Sequence, residues 1–156
     1  MAQTNYTPIQ LYHSTTAAAV PLAANLVAGE LGLNIADMRL YCENSSGVVE
    51  MLAAPGIPIS GAAKTTSYSL ATTDVGQTIE VGSGGSITVP DATFAAGDAI
   101  IIFNNTSGSI TMTMTITNAY IAGTDADKAT IDVATRGVAN ILFVTGTTCV
   151  VTGNVS

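Results

Sequence analysis

From Ile110 to Thr117 the chain alternates an apolar residue with threonine without a break: Ile110, Thr111, Met112, Thr113, Met114, Thr115, Ile116, Thr117. Successive side chains of a strand point to opposite faces, so this order sets every large apolar side chain on one side and hydroxyls on the other. The run predicts a half-buried β-strand. Met112 and Met114 line up with Ile110 and Ile116 on its core face, and a subunit interface is the second reading for such adaptable side chains.

The same reading extends over most of the chain after residue 63. Tyr68–Thr72, Thr78–Val81, Ser86–Val89, Ala99–Phe103, Ser109–Thr117, Ala129–Val133, Val138–Thr145 and Thr148–Val151 are rich in Val, Ile and Thr. Turn signals separate them: Asp74 with Gly76, Gly82 to Gly85, Gly97 with Asp98, Asn104 to Gly108, Gly123 to Lys128, Arg136 with Gly137, and Gly146 with Thr147. Short strands punctuated in this way predict an all-β domain, an antiparallel β-sandwich of jelly-roll-like or barrel-like form. The unbroken apolar run Ile100–Phe103 predicts a central strand covered on both faces.

The first third reads differently. Ala17 to Leu26 is alanine-rich and broken by Pro21, which fits an extended or short helical arm. Gly29 to Asn34 and Arg39 to Glu43 pair as a hairpin, and a turn at Asn44–Gly47 leads to a third short strand, Val48 to Leu52. Three short strands on such an arm make no core of their own, which predicts completion by neighbouring chains. Pro55, Gly56, Pro58 and Gly61 mark a connector. The expected organisation is an N-terminal attachment arm over 1–54, completed by neighbouring chains, a linker over 55–63 and a β-sandwich over 64–156.

Composition narrows the function. The chain carries four fixed cations, Arg39, Lys64, Lys128 and Arg136, against eleven carboxylates, for a formal charge of −7. The cations are scattered, so no basic patch forms from sequence neighbours, which argues against nucleic-acid binding and against attraction to an anionic membrane. No apolar stretch is long enough to span a bilayer, and no charged n-region precedes an apolar core at the N-terminus, so synthesis in the cytosol is expected. A surface of Thr, Ser, Asn and Ala with only 10% charged residues keeps a lone monomer poorly soluble, which predicts a homo-oligomer.

The residues that carry chemistry do not assemble into a known motif. His13 precedes Ser14, but adjacency in sequence does not give the geometry of a catalytic triad. Asp125, Asp127 and Asp132 lack the spacing and the downstream Glu of a calcium loop, and Gly82–Gly85 lacks the Lys-Ser/Thr of a phosphate loop. Cys42 and Cys149 have no metal-ligand spacing; Cys149 reads as a buried thiol and Cys42 as the more exposed one. No catalytic residue, cofactor or metal is therefore expected. A small carbohydrate-processing enzyme is the remaining enzymatic alternative, and it would need two carboxylates facing one cleft.

Two strings carry a resemblance. Pro21, Leu22, Leu26, Gly29-Glu30-Leu31-Gly32-Leu33-Asn34, Asp37 and Leu40-Tyr41 resemble an N-proximal segment of tail-fibre and other exterior virion proteins of tailed bacteriophages. The segment departs from that pattern at Met38, where a glycine ordinarily completes the turn. Val81-Gly82-Ser83-Gly84-Gly85-Ser86-Ile87-Thr88-Val89-Pro90, Phe103-Asn104-Asn105, Tyr120-Ile121-Ala122-Gly123 and Val151-Thr152-Gly153-Asn154-Val155 resemble a module on structural proteins of aquatic phages, cyanobacterial phages among them.

The resemblance implies a trimeric, β-rich protein on the outer capsid surface of a virion, with the major capsid protein as partner. A tail fibre needs a long shaft, for which 156 residues leave little room, so the expectation is a capsid decoration, or cement, protein. Its capsid and trimer contacts are expected at Leu22, Leu26, Leu31, Leu33, Leu40 and Tyr41. The alternative is a short tail-fibre or tailspike-associated receptor-binding protein. Contact with a host-surface glycan is then expected at Asn104, Asn105, Thr106, Tyr120, Asp125 and Asp127, although Tyr120 is an isolated aromatic.

Overall fold

The alternation at Ile110 is realised in the structure: Ile110, Met112 and Met114 are buried while Thr111 and Thr113 face solvent. The chain divides into two compact units, Met1–Gly56 and Ile57–Ser156. The computed structural model describes residues 11–156.

In the first unit, β1 (Tyr12–Ser14), β2 (Leu31–Asn34), β3 (Arg39–Glu43) and β4 (Val49–Ala53) form one sheet in that order. β2, β3 and β4 form antiparallel neighbours, and β1 lies parallel to β2. The 15–27 segment, with one 3-10 turn at Ala23–Asn25, covers one face of this sheet. Asn34 fastens it, donating from Nδ2 to the carbonyls of Thr16 at 3.0 Å and Ala19 at 2.9 Å. Gly32 leaves room for it, since a Cβ there would stand 2.9 Å from the Pro21 ring. Among the described residues, Leu26 and Tyr41 are the buried hydrophobic side chains of the unit.

The hairpin between β2 and β3 forms without the glycine. Met38 takes it up at φ 56°, a left-handed conformation that costs a residue with a Cβ.

The second unit holds β5 (Ser67–Ser69), β6 (Thr78–Val81), β7 (Ser86–Val89), β8 (Ala99–Asn104), β9 (Ile110–Met114), β10 (Asn118–Ile121), β11 (Thr130–Val133), β12 (Val138–Thr145) and β13 (Thr148–Gly153). One sheet runs β10-β13-β12-β8-β6 and the other β11-β9-β7-β5. One hydrophobic core draws on both sheets, with Ile79, Ile87, Ile100, Ile102, Met112, Ile131, Ile141 and Phe143 fully buried. Phe94, from the connection between β7 and β8, stacks on Phe143 at 4.0 Å between ring centroids.

The all-β expectation holds, but the antiparallel, jelly-roll-like or barrel-like form gives way to mixed sheets. From β5 to β9 consecutive strands alternate between the two sheets, so the parallel neighbour of a strand is the one two places on: β5 with β7, β7 with β9, β6 with β8. This is a short solenoid-like winding, closed by antiparallel β12 and β13 on one side and β11 on the other. Alternation reports which side chains are buried and turn residues report where a strand stops; neither reports the direction of the neighbour. Two further differences are local. β8 is central in its sheet, yet Ile101 and Phe103 on its outer face are only half-buried. The strand expected to Thr117 ends at Met114, where Thr115 and Ile116 both donate their N–H to the Val89 carbonyl and the chain crosses to β10.

The 55–63 segment takes part in the second unit. Thr78 N–H donates to the Pro58 carbonyl at 2.7 Å, Ser60 N–H to the Thr78 carbonyl at 2.9 Å, and Ile59 and Lys64 bridge to β6. The turn at Gly82–Gly85 passes so close to the Lys64 carbonyl that Gly85 has no space for a Cβ.

Two substitutions test this backbone. Met38→Gly is expected to raise the stability of the first unit by about 1 kcal/mol, and Gly85→Ala to lower that of the second by about 2–3 kcal/mol, both read by thermal unfolding.

Candidate functional site

The six apolar contact residues expected in the arm separate into three groups. Leu26 and Tyr41 are 5% and 4% exposed, so they belong to the unit's own core and offer no contact surface, a correction to the sequence reading. Leu22 stands on the outside of the covering segment, 67% exposed. Leu31, Leu33 and Leu40 are half-buried on the sheet face opposite the cover. Cross-strand partners share a face, so the register His13–Leu33–Leu40–Ala53 and Leu31–Cys42–Glu50 places all seven there. The face is apolar except for His13 and Glu50 at its two edges. The edge strand β4 adds Leu52, the extra residue of a bulge beside Leu40 and Tyr41, which is exposed.

Tyr12, Pro21, Leu22, Asn25, Leu33 and Asn34 line a cleft of about 230 Å³. Glu43 is the unexpected group of this unit. It is buried, and its Oε2 has no hydrogen-bond partner among the described residues.

In the second unit the strand ends gather both expected glycan loops at one end of the β10-β13-β12-β8-β6 sheet. Register places Val81 beside Asn104, Phe103 beside Val138, Ala139 beside Gly153 and Val151 beside Ile121. The loops after β8 and β10 therefore leave from the same edge, three strand spacings or about 14 Å apart.

Their residues have different jobs. Asn104 is fully buried, which corrects its expected place on a host-facing loop. Its Nδ2 faces the carbonyls of Gly108 at 2.8 Å, Val133 at 3.1 Å and Ala134 at 2.8 Å, and its Oδ1 accepts from Thr106 N and Oγ1. It ties its own 104–108 loop to the end of β11 and the turn that follows. Asn105 is exposed, donating to Glu80 Oε1 at 2.6 Å and accepting from Arg136, a surface chain of acid, amide and guanidinium. Asp127 is exposed but holds the backbone N–H of Ala119 at 2.8 Å, while Asp125 faces solvent and Tyr120 is half-buried.

The remaining candidates are dispersed. Asp132 accepts from Thr111 Oγ1 at 2.6 Å, and Gly82–Gly85 is a tight turn. Among the described residues no three of His, Cys, Asp and Glu group to hold a metal ion. Among them, too, no helix is long and apolar enough to cross a membrane.

Two buried groups and one surface were missed in the sequence. Asp74 accepts from Tyr68 Oη at 3.0 Å on each oxygen and from Ala71 N–H at 2.8 Å, so it ties β5 to the turn before β6. Burial first, and then the Asp74 carboxylate, hold the Tyr68 hydroxyl above its ordinary range, while Lys64 Nζ lies 4.3 Å over the ring. Asp74 followed by Gly76 signalled a turn, but nothing in the sequence signalled its tyrosine partner. On the outer side of the five-stranded sheet, Ile101, Phe103, Val138, Leu142 and Val144 form a largely apolar stripe interrupted by Asn140, legible only once β8 and β12 are known to be neighbours.

Neither a scan against protein-family models nor a search of curated proteins finds a match to this chain.

Asn104→Ala is expected to cost about 2–4 kcal/mol, because it strips a buried donor from three carbonyls; denaturant unfolding measures it. The thiols differ in kind. Burial, and secondarily Asp127, push Cys149 up to about 11, so thiol reagents at neutral pH are expected to label Cys42 first and Cys149 only on unfolding. Above about pH 8.5 the unfolded chain gives up this proton while the folded chain keeps it, so this group lowers stability as pH rises to about 11. Cys149→Ala should flatten that part of the pH–stability curve.

Proposed function

We propose that this chain is a non-enzymatic structural protein of a virion exterior: a homotrimeric decoration protein that attaches through its first unit and reinforces the outer capsid surface. The observation that carries the reading is the first unit. Its sheet buries two hydrophobic side chains on one face and leaves Leu31, Leu33 and Leu40 only half-covered on the other. A unit of that size does not bury enough apolar surface to stand alone, so partner chains supply the rest of its burial. Leu22 and Val27, exposed on the covering segment, face away from that side and suit a second partner, the shell subunit. The likeness of the Pro21–Tyr41 string to exterior phage proteins gives the setting.

A second reading keeps the same oligomer and moves it to the tail as a receptor-binding protein. It is favoured by the gathering of Asn105, Thr106, Tyr120 and Asp125 at one end of the second unit, where a host-surface glycan would meet them.

Copy number decides between them. Quantitative mass spectrometry of purified particles is expected to find this chain at a ratio to the major capsid protein near that of a shell component. A ratio lower by an order of magnitude would overturn the decoration reading in favour of the tail, and absence from particles would overturn both.

A further inference from the structure

Among the described residues the first unit's sheet is open along both edges, and the way these edges match points to a particular assembly. Among the described residues, β1 pairs only with β2 and β4 only with β3. In the second unit β6 is flanked by Ile59 and Lys64, β10 by Asp127 and β11 by Val155, while β5 pairs only with β7. Among the described residues the first unit's sheet is therefore the one open along both edges, and open edges are where strand pairing between chains occurs.

The edges are compatible with one another. β1 is parallel to β2, β2 antiparallel to β3 and β3 antiparallel to β4, so β1 and β4 run in the same direction. Rotation about an axis along the strands therefore lays β4 of one copy beside β1 of the next as a parallel pair. We propose that three copies of this chain pair β4 to β1 head to tail and close into a three-sided ring, with the leucine face inward. This rests on the homo-oligomer reading above and specifies its interface.

Spacing argues for three. Four strands about 4.8 Å apart make a side of about 19 Å, and the axis of an equilateral triangle with that side lies about 5.5 Å from each sheet. That is close to half the roughly 10 Å between packed sheets, so side chains of leucine length fill the interior. Two copies face to face would leave their edges about 10 Å apart, too far for hydrogen bonds, and four would enclose a void. Leu31, Leu33, Leu40 and Cys42 lie on β2 and β3, the middle of each side, where the interior is deepest.

The seam has a register. Val49–Met51 precedes the bulge at Leu52 and matches the three residues of β1 in length. Keeping like faces together, with the stagger that closing a sheet requires, sets Val49 beside Tyr12, Glu50 beside His13 and Met51 beside Ser14 of the next copy. The pair Glu50–His13 is complementary, and both side chains are exposed in the single chain. Two-fold pairing of β4 with β4 would leave β1 bare and the leucine face open.

The test uses the full-length chain with Cys42→Ser and Cys149 left in its buried place. Ser14→Cys with Met51→Cys is expected to give a covalent trimer on oxidation, resolved on a non-reducing gel, with each single variant staying monomeric; paired strands hold Cα atoms within disulfide range. A covalent dimer from Met51→Cys alone would show two-fold pairing and overturn the ring. A trimer in native mass spectrometry that never cross-links in the double variant would overturn the seam and leave the trimer standing, whereas a monomer at micromolar concentration would overturn both. Independently, Glu50→Lys is expected to raise the concentration at which the trimer dissociates at least tenfold, and adding His13→Glu to bring it back to within about threefold of the parent. Failure of that rescue would overturn the register.

Discussion

The core shared by the two sheets of the second unit is the constraint on which the rest of that unit depends. Each strand there turns one face inward, and the inward residues of successive strands interleave from opposite sides: Ile79 and Ile100 from one sheet, Ile87 and Met112 from the other. Fully burying a side chain of this size stabilises by about 1.5–3 kcal/mol, so a one-residue slip in any strand would forfeit several such contributions and bury threonines instead. That cost pins the register. The winding follows, because a chain that crosses the core between consecutive strands returns to the first sheet parallel to the strand it left. Where crossings need help, side-chain oxygens supply it: Asp91 holds Thr117 by its backbone N–H at 3.1 Å and its hydroxyl at 2.9 Å as β9 gives way to β10. Those bonds from Thr117 also keep the Asp91 carboxyl below its ordinary range.

The first unit obeys the same period with half the means. One face of its sheet is closed by a segment that owes its path to Pro21 over Gly32 and to the Asn34 amide, and the other carries leucines without a cover of its own. Asn34 also holds the hairpin turn, accepting from Asp37 N–H at 3.1 Å and donating to Asp37 Oδ2 at 2.9 Å. One amide thus organises both the turn and the cover. This makes the unit's shape local: its strands and their cover are set by short-range bonds.

What was legible in the sequence follows from this physics. The period-two strands were read with ends mostly within a residue or two, because burial of one face writes itself into the order of residues: β6, β7 and β12 match the reading, and β8 nearly so. β1 and β10 escaped. Tyr12–Ser14 is exposed, and Asn118–Ile121 buries only Ala119, so neither alternates in large apolar side chains. Strand direction was not legible at all, since a hairpin and a crossing to the opposite sheet use the same glycines and asparagines. The contact residues were half legible. A leucine pattern shows that Leu31 and Leu33 share a face but not that Leu26 and Tyr41 fill the opposite side. Asn104 looked like a loop residue because asparagine is common in turns; only the fold shows that its loop folds inward over it.

Charge bears on how such chains can come together. Each copy carries a formal −7, so copies repel, and four cations per chain are too few for ion pairing to reverse this. Screening limits the penalty, because carboxylates more than about 8 Å apart interact weakly at physiological salt. Association then depends on contacts indifferent to net charge, namely backbone hydrogen bonds along open strand edges and apolar burial behind them. The first unit offers both on one sheet, with Glu50 on the β4 edge and His13 and Ser14 on the β1 edge. A low-charge, hydroxyl-rich exterior is the corollary: with few charged groups to desolvate, a chain of this composition closes interfaces at little electrostatic cost, and their specificity rests on strand register and shape.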